Sequence, residues 1–411
     1  MAREEFVAGL DVGTTKVVCC VGGIQERGKP VQIIGDGMMI STGVKKGAVV
    51  DLESTILSID RAVEKAERIA GVRVNGVILG IAGEHMQCFN SRGAVSLAPH
   101  SEITPQDVEK VLESSKAISL PPDHEVVHIF PKDFIVDGQD GIKNPVQLRG
   151  SRLEVETHIV TGAAGLIQNL LKSVRTAGLE VYDIIPQQIA SAEAILTEEE
   201  KEVGILLADI GGGTTDIVVY YEGFPRFTWV LPIGGLLIDK DIAYLLSTSI
   251  TEAERLKKEH GYALSNFSPD DLVRVKIVGE KGVREVPARV LCEIIQARCE
   301  QIFDLVRQKL TSAGCYDLIP GGVVLTGGGS LLRGIQALAK TVLNVPVRVG
   351  GPTISSGLAE QVRSPVYSTS VGLVLFGAKT LMKMPRKAQN LSSWKESYGK
   401  FFSWLKEFIK L

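Results

Sequence analysis

The sequence predicts an α/β protein in which two βα repeats face each other across a ligand cleft. A small α+β insertion interrupts the first repeat, and an amphipathic helix closes the chain. Three observations carry this expectation. A glycine- and threonine-rich turn occurs twice after a buried strand, a proline-rich stretch of different character lies between the two turns, and the last eighteen residues resemble nothing before them.

Composition bounds the alternatives. At roughly 100–200 residues per domain, 411 residues imply about two to four compact units. With 45% hydrophobic and 23% charged residues, the chain is neither disordered nor fibrous. Its 45 basic and 48 acidic residues leave a net charge of −3, so no global basic surface points to nucleic acid. Cys19, Cys20, Cys88, Cys292, Cys299 and Cys315 form no C-x-x-C pair and read as small buried hydrophobes of a reducing compartment. The N-terminus has no basic region followed by a long apolar stretch, and no run reaches the roughly 18–20 apolar residues of a membrane span. These features predict a cytosolic chain.

Apolar runs at 6–10 and 16–22 flank a turn and predict a hairpin, followed by a third strand at 31–35. Ile56, Ile59, Val63, Ala66 and Ile69 repeat at helical spacing within 51–70, and 77–81 is a buried strand. From about 84 to 162, Pro105, Pro121, Pro122, Pro131 and Pro145 accompany one amphipathic helix at 105–117 and strands such as 126–130. A helix at 163–177 and a strand at 181–185 resume the βα pattern. The opening Phe6-Val-Ala-Gly-Leu-Asp11-Val-Gly13-Thr14-Thr15-Lys16 is then echoed by Gly204-Ile-Leu-Leu-Ala-Asp209-Ile-Gly211-Gly212-Gly213-Thr214-Thr215-Asp216. Helices at 251–259 and 290–310 follow, and a strand at 322–325 leads into Thr326-Gly327-Gly328-Gly329-Ser330.

The two echoed turns suit a polyphosphate with Mg2+. Glycines let backbone N–H groups approach an anion closely, and Mg2+ keeps most of its waters while taking one or two carboxylates. Asp11, Gly13, Thr14, Thr15 and Lys16 on one side, with Asp209, Gly211, Gly212, Gly213, Thr214 and Thr215 on the other, are the candidate clamp. Asp11 and Asp209 are its metal-facing carboxylates, acting through water. Gly327, Gly328, Gly329 and Ser330 follow a strand and are expected to open a helix whose N–H groups meet a nucleoside.

This ordered set resembles the two phosphate loops and adenosine motif of the actin, Hsp70 and sugar-kinase superfamily. Within it the whole chain resembles the FtsA family of bacterial cell-division proteins. Ser91-Arg92-Gly93, Val136-Asp137-Gly138-Gln139-Asp140-Gly141-Ile142-Lys143-Asn144-Pro145 and Gly150-Ser151-Arg152-Leu153-Glu154 carry the likeness in the insertion. The resemblance implies an actin-like two-domain ATPase fold of two RNase H-like repeats around a cleft for ATP and Mg2+. On that pattern, 1–83 and 163–195 form the first domain, with 84–162 inserted. Residues 196–235 and 306–360 form the second, with a smaller subdomain at 236–305, and 361–383 returns to the first. The helix Ala253-Glu254-Arg255-Leu256-Lys257 resembles the segment whose Glu and Lys reach the ribose, which implies Glu254 and Lys257. Gln187, in Ile185-Pro186-Gln187-Gln188, stands where relatives that hydrolyse readily carry Gln or Glu. It is read two ways, as the residue that positions water or as a surface glutamine capping a helix. A glutamine is a very poor base, so at most slow hydrolysis is expected. After Asn144-Pro145 the chain has Val146-Gln147-Leu148 where the family often has a Gly-Met-like pair.

Two other motifs are declined. His124-Glu125-Val126-Val127-His128 spells a zincin helix, but its β-branched residues and flanking prolines predict a strand, which separates the histidines by roughly 13 Å. Gly23 to Pro30 nearly spells a P-loop, yet ends in Pro30 where Mg2+ needs a hydroxyl.

Residues 394–411 follow a polar linker at 384–393. On a helical wheel, Trp394, Tyr398, Phe401, Phe402, Trp404, Leu405, Phe408 and Ile409 fill an arc of roughly 160°, with Lys395, Glu396, Lys400, Lys406, Glu407 and Lys410 opposite. This predicts a helix lying in the plane of an anionic lipid surface. Each large apolar side chain gains up to about 1.5–3 kcal/mol when fully buried, against roughly 1 kcal/mol per net positive charge. One such helix is a reversible anchor, and self-association presenting many of them gives avidity. The family resemblance implies a filament that tethers the FtsZ ring and other division proteins to the inner face of the cytoplasmic membrane at the division site. The alternatives are a small-metabolite kinase of the same superfamily, which needs a catalytic Asp in the cleft, and a pilus-assembly adaptor of the FtsA-like branch, which needs no such tail.

Overall fold

The structure is a computed structural model that describes residues 5–24, 30–279, 282–354 and 358–383. The linker 384–393 and the amphipathic helix 394–411, with Trp394, Phe401, Phe402, Trp404, Leu405, Phe408 and Ile409, lie outside the described residues, as does most of the loop 23–30. Among the described residues, no helix is long and apolar enough to cross a membrane.

Strand β1 (Glu5–Val12) turns back into β2 (Lys16–Ile24) and then β3 (Gln32–Ile40), an antiparallel meander. A small hairpin, β4 (Val44–Lys45) and β5 (Ala48–Val49), precedes α1 (Leu52–Ala70), and β6 (Gly76–Ile81) then runs parallel to β1. Helix α1 begins where the Asp51 carboxylate accepts the Ser54 N–H at 3.2 Å and stops at Gly71, whose φ of 68° suits only an unhindered residue. Alternation along β2 sends Val17, Cys19 and Val21 into the core with α1, and Val18 and Cys20 into the core on the other face.

The insertion comprises β7 (Gln87–Glu102), α2 (Pro105–Ser115), β8 (His124–Val136), β9 (Gln139–Ile142) and β10 (Arg149–Ala163). Its antiparallel sheet has the order β7-β10-β8-β9, and α2 covers a separate core of Ile103, Val111, Phe134, Val136, Leu153 and Val155. The His124–His128 motif lies in β8, an extended strand. Helix α3 (Ala164–Thr176) and strand β11 (Glu180–Pro186), parallel to β6, lead into α4 (Gln187–Ile195).

The second half repeats the plan. Short α5 (Glu198–Val203) precedes the meander β12 (Ile205–Ile210), β13 (Thr215–Tyr221) and β14 (Phe224–Leu231). Helices α6 (Gly235–Leu245) and α7 (Ile250–His260), the hairpin β15 (Leu272–Lys276) and β16 (Val283–Pro287), and α8 (Ala288–Ser312) follow. Strand β17 (Val323–Thr326), helix α9 (Ile335–Leu343), strand β18 (Val347–Val349) and short α10 (Ala359–Val362) complete it, and α11 (Ser368–Lys383) returns to the first sheet.

The sheets β3-β2-β1-β6-β11 and β14-β13-β12-β17-β18 have the same order and the same strand directions. Asp11 is aligned with Val18 on the hairpin partner and Gly80 on the parallel neighbour, and Asp209 is aligned with Asp216 and Thr326 in the same way. Helices α4 and α11 connect the halves and pack so closely that a Cβ on Gly372 would lie 1.7 Å from the Ala190 carbonyl oxygen.

The insertion also touches the second half. Asn90 donates to the Arg226 carbonyl at 2.8 Å, and Lys132 reaches Glu222 at 2.8 Å. Buried His158 lies between Asn90 Oδ1 at 2.7 Å and Thr228 Oγ1 at 3.1 Å.

Candidate functional site

The two echoed turns close identically. Gly13 N–H donates to the Lys16 carbonyl at 2.9 Å, and Gly211 N–H donates to the Thr214 carbonyl at 2.9 Å. They meet tip to tip. A Cβ on Gly212 would fall 2.6 Å from Thr15 Oγ1, and one on Gly213 would fall 2.4 Å from Thr14 Oγ1. Glycine is needed here because any side chain would drive the turns apart.

Behind the tips lie three buried carboxylates. Gln187, the first residue of α4, donates from Nε2 to Asp11 Oδ1 at 2.9 Å. Ser191, one turn further along α4, donates from Oγ to Asp209 Oδ2 at 2.7 Å, and Thr369 Oγ1 lies 3.2 Å from the same oxygen. Asp216 accepts from Thr214 Oγ1 at 2.8 Å through Oδ2, while its buried Oδ1 has no partner among the described residues.

Burial dominates the electrostatics of all three. It raises the Asp11 carboxyl to about 6, against the pull of Lys16 and with a push from Asp209. Burial, then repulsion by Asp209, raises Asp216 to about 8. Asp209 is raised as well, by burial, with the Ser191 hydrogen bond and Lys16 opposing. Lys16 itself donates to the Val366 carbonyl. A cleft that concentrates this much buried acid is suited to a bound cation.

Residues of both turns line one partly open cleft between the two halves. Of the residues expected in it, Asp11, Gly13, Thr14, Thr15 and Lys16 line one wall, and Asp209, Gly211, Gly212, Gly213 and Thr214 line the other. Gly327, Gly328 and Gln187 complete it, so Gln187 is a cleft residue rather than a surface cap. Asp216, Thr369, Pro365 and Val366 line it too and carried no separate expectation.

Other expected residues lie elsewhere. Thr215 turns away, its hydroxyl donating to the Ile233 carbonyl at 2.8 Å. Lys257 pairs with Asp239 at 2.7 Å and reaches the Gly235 carbonyl, while Glu254 pairs with Lys258 at 2.7 Å; neither lines the cleft. The cluster 326–330 opens no α-helix. It forms a single 3-10 turn (Gly328–Leu331), and α9 begins only at Ile335. Consecutive glycines resist helix, Ser330 turns its hydroxyl back onto the Gly327 carbonyl at 2.8 Å, and Gly329 packs against Ile210. Gly327 instead adopts φ 78°, ψ 173°, with its α-carbon set against Asp209: a Cβ there would lie 2.2 Å from Oδ1.

The family profile described as "Cell division protein FtsA" matches residues 206–372, and that of the "SHS2 domain inserted in FTSA" matches 83–161. The chain is 42% identical over 374 residues to the cell division protein FtsA of Pseudomonas aeruginosa, covering 91% of this chain and 89% of that one. It is 36% identical over 417 residues to the Escherichia coli K12 protein of that name, with 98% of each covered. Among solved structures, a chain of the PilM-PilN type IV pilus biogenesis complex superposes with a TM-score of 0.65 at 18% identity, over 90% of this chain and 98% of that one. MreB5 of Spiroplasma citri bound to ADP gives a TM-score of 0.54 at 16% identity, over 92% and 98%. These structures show the fold alone, an actin-like one, and in this chain the SHS2 domain is inserted into it. The full-length likeness at 36–42% identity goes further: this chain belongs to the FtsA family of cell division proteins.

Proposed function

We propose that the chain binds Mg-ATP in the cleft between its two halves, hydrolyses it slowly at most, and assembles into filaments. Through residues 394–411 these filaments hold the FtsZ ring and other division proteins at the inner face of the cytoplasmic membrane. The observation that carries the nucleotide reading is the pair of aspartate turns, identical in closure and facing each other across one cleft. The residues fit the ligand: glycine turns let backbone N–H groups approach an anion, and Asp216 Oδ1, without a partner among the described residues, is an acceptor left for a cation or its water.

Asp11 and Asp209 would hold Mg2+, one from each half, and bound Mg2+ supplies the charge that neutralises the phosphates. Thr14, Thr15, Gly212 and Gly213 bring their backbone to the phosphate tail, and Lys16 adds positive charge beside Asp11. Gln187 is held on Asp11 and can orient a water without accepting its proton, which supports slow turnover. The tether rests on the one-sided array of aromatic residues in 394–411 and on the chain's family.

Calorimetry tests the cleft: ATP with Mg2+ should bind the intact chain and fail to bind Asp209→Ala. Unchanged affinity in that variant removes the assignment, and rapid phosphorylation of glycerol or sugars would favour a kinase instead. Electron microscopy on anionic lipid tests the tether: filaments should form with ATP on the full chain and leave the lipid when 394–411 is deleted.

A further inference from the structure

Asp209, a metal-facing carboxylate of the proposed nucleotide site, is contacted by two buried hydroxyls. We propose that Ser191 and Thr369 are positioning residues: two hydroxyls, one from each connecting helix, that fix the orientation of Asp209 and so set how tightly Mg2+ joins bound nucleotide. This rests on the cleft being a nucleotide site.

Asp209 belongs to the second half, at the end of β12. Ser191 sits on α4, which leaves the first half, and Thr369 is the second residue of α11, which returns to it. Both hydroxyl residues are buried, at 0% and 6% exposure, so water does not compete for their protons. Ser191 Oγ lies 2.7 Å from Asp209 Oδ2, Thr369 Oγ1 lies 3.2 Å from the same oxygen, and the hydroxyls are 3.0 Å apart.

A proton count defines the arrangement. Two hydroxyls carry two protons for three contacts. Ser191 donates along the shortest contact, and Thr369 donates to Oδ2 or to Ser191 Oγ. Either way Oδ2 is held from the first half. The other oxygen is confined too, because Oδ1 lies against the Gly327 α-carbon. The carboxylate therefore has one orientation, chosen by three separate elements of the fold.

Helix α4 extends this control to the opposite turn. Gln187, four residues before Ser191 and on the same helical face, holds Asp11. One rigid helix thereby sets both metal-facing carboxylates relative to each other. Mg2+ demands near-ideal octahedral geometry, so a carboxylate free to rotate binds it less well. Removing such supporting partners typically costs 10–100-fold in metal affinity.

The experiment measures ATP affinity by calorimetry on the full chain, in Mg2+ and again in EDTA. The gain in affinity on adding Mg2+ should fall about 10-fold or more in Ser191→Ala and in Thr369→Val, while affinity in EDTA stays at the unsubstituted value. Thr369→Ser keeps the hydroxyl and should keep the gain. Equal losses in both media would show a merely structural role and overturn the proposal, as would a full Mg2+ gain in both hydroxyl-free variants. An unsubstituted chain that binds no ATP in either medium overturns the nucleotide reading and this proposal together, a result distinct from either of those.

Discussion

Gly213 and Thr14 sit on opposite halves of the molecule, yet a single methyl group on Gly213 would come within 2.4 Å of the Thr14 hydroxyl. The glycine backbone of one turn packs directly against the threonine side chains of the other. Gly213→Ala should therefore open the cleft and lower ATP affinity at least about tenfold, an order expected for losing one well-placed charged hydrogen bond. Thr14→Gly removes the atoms the methyl would strike. A double-substitution cycle read by calorimetry should show a coupling of about 0.5–3 kcal/mol, and strict additivity would mean the turns do not meet.

Gly327 makes a related prediction about folding. Its φ of 78° and ψ of 173° lie in a region open almost only to glycine, and forcing another residue there costs about 1–3 kcal/mol. A side chain would also strike Asp209 Oδ1 and the Ile210 carbonyl. Gly327→Ala should lower the urea midpoint accordingly, whereas Gly328→Ala, with no atom within 4 Å of its Cβ position, should leave it nearly unchanged.

His158 predicts a pH dependence. Burial pushes its imidazole down from the ordinary 6.5 to about 3. The unfolded chain takes up a proton near 6.5 and the folded chain does not, so stability present in full above 6.5 is lost as pH falls toward 3, by about 1.4 kcal/mol per pH unit. His158→Gln should be less stable at pH 7.5, where it loses the contacts to Asn90 and Thr228, but should show a shallower decline to pH 5. Urea unfolding at the two pH values checks this, and parallel declines would refute it.

For the C-terminal segment, Trp404→Glu replaces one of its large apolar residues with a charge. It should shift most of the protein from floated anionic vesicles to the soluble fraction. Salt screens the net charge of about +2 over roughly 8 Å and should weaken binding far less than the substitution does. Release by salt alone, with Trp404→Glu still bound, would make the contact electrostatic.

Much of the site was legible because turn chemistry is local. Asp11 and Asp209 could be paired from the sequence since the Asp-x-Gly turn and its flanking strands are the same in both copies. Asp216 escaped because the comparison of repeats works against it: at the matching register the first copy has Val18, so the third carboxylate belongs to one repeat only. Thr369 and Ser191 reach Asp209 across 160 and 18 residues, through helix packing that no local pattern encodes. Lys257 was assigned by resemblance, and its pairing with the buried Asp239 of α6 is a long-range contact that the sequence did not display. The strands were readable from buried runs such as Ile205-Leu-Leu-Ala-Asp-Ile210, whereas a run of glycines says only that backbone comes close to something.

The contact of Gly372 with Ala190 has a mechanical meaning. Where two helices touch backbone to backbone, no flexible side chain stands between them to take up a shift, so α4 and α11 are fixed in register. Ser191 follows Ala190 and Thr369 lies one turn before Gly372, so the same crossing that locks the helices together also sets the spacing of the two hydroxyls.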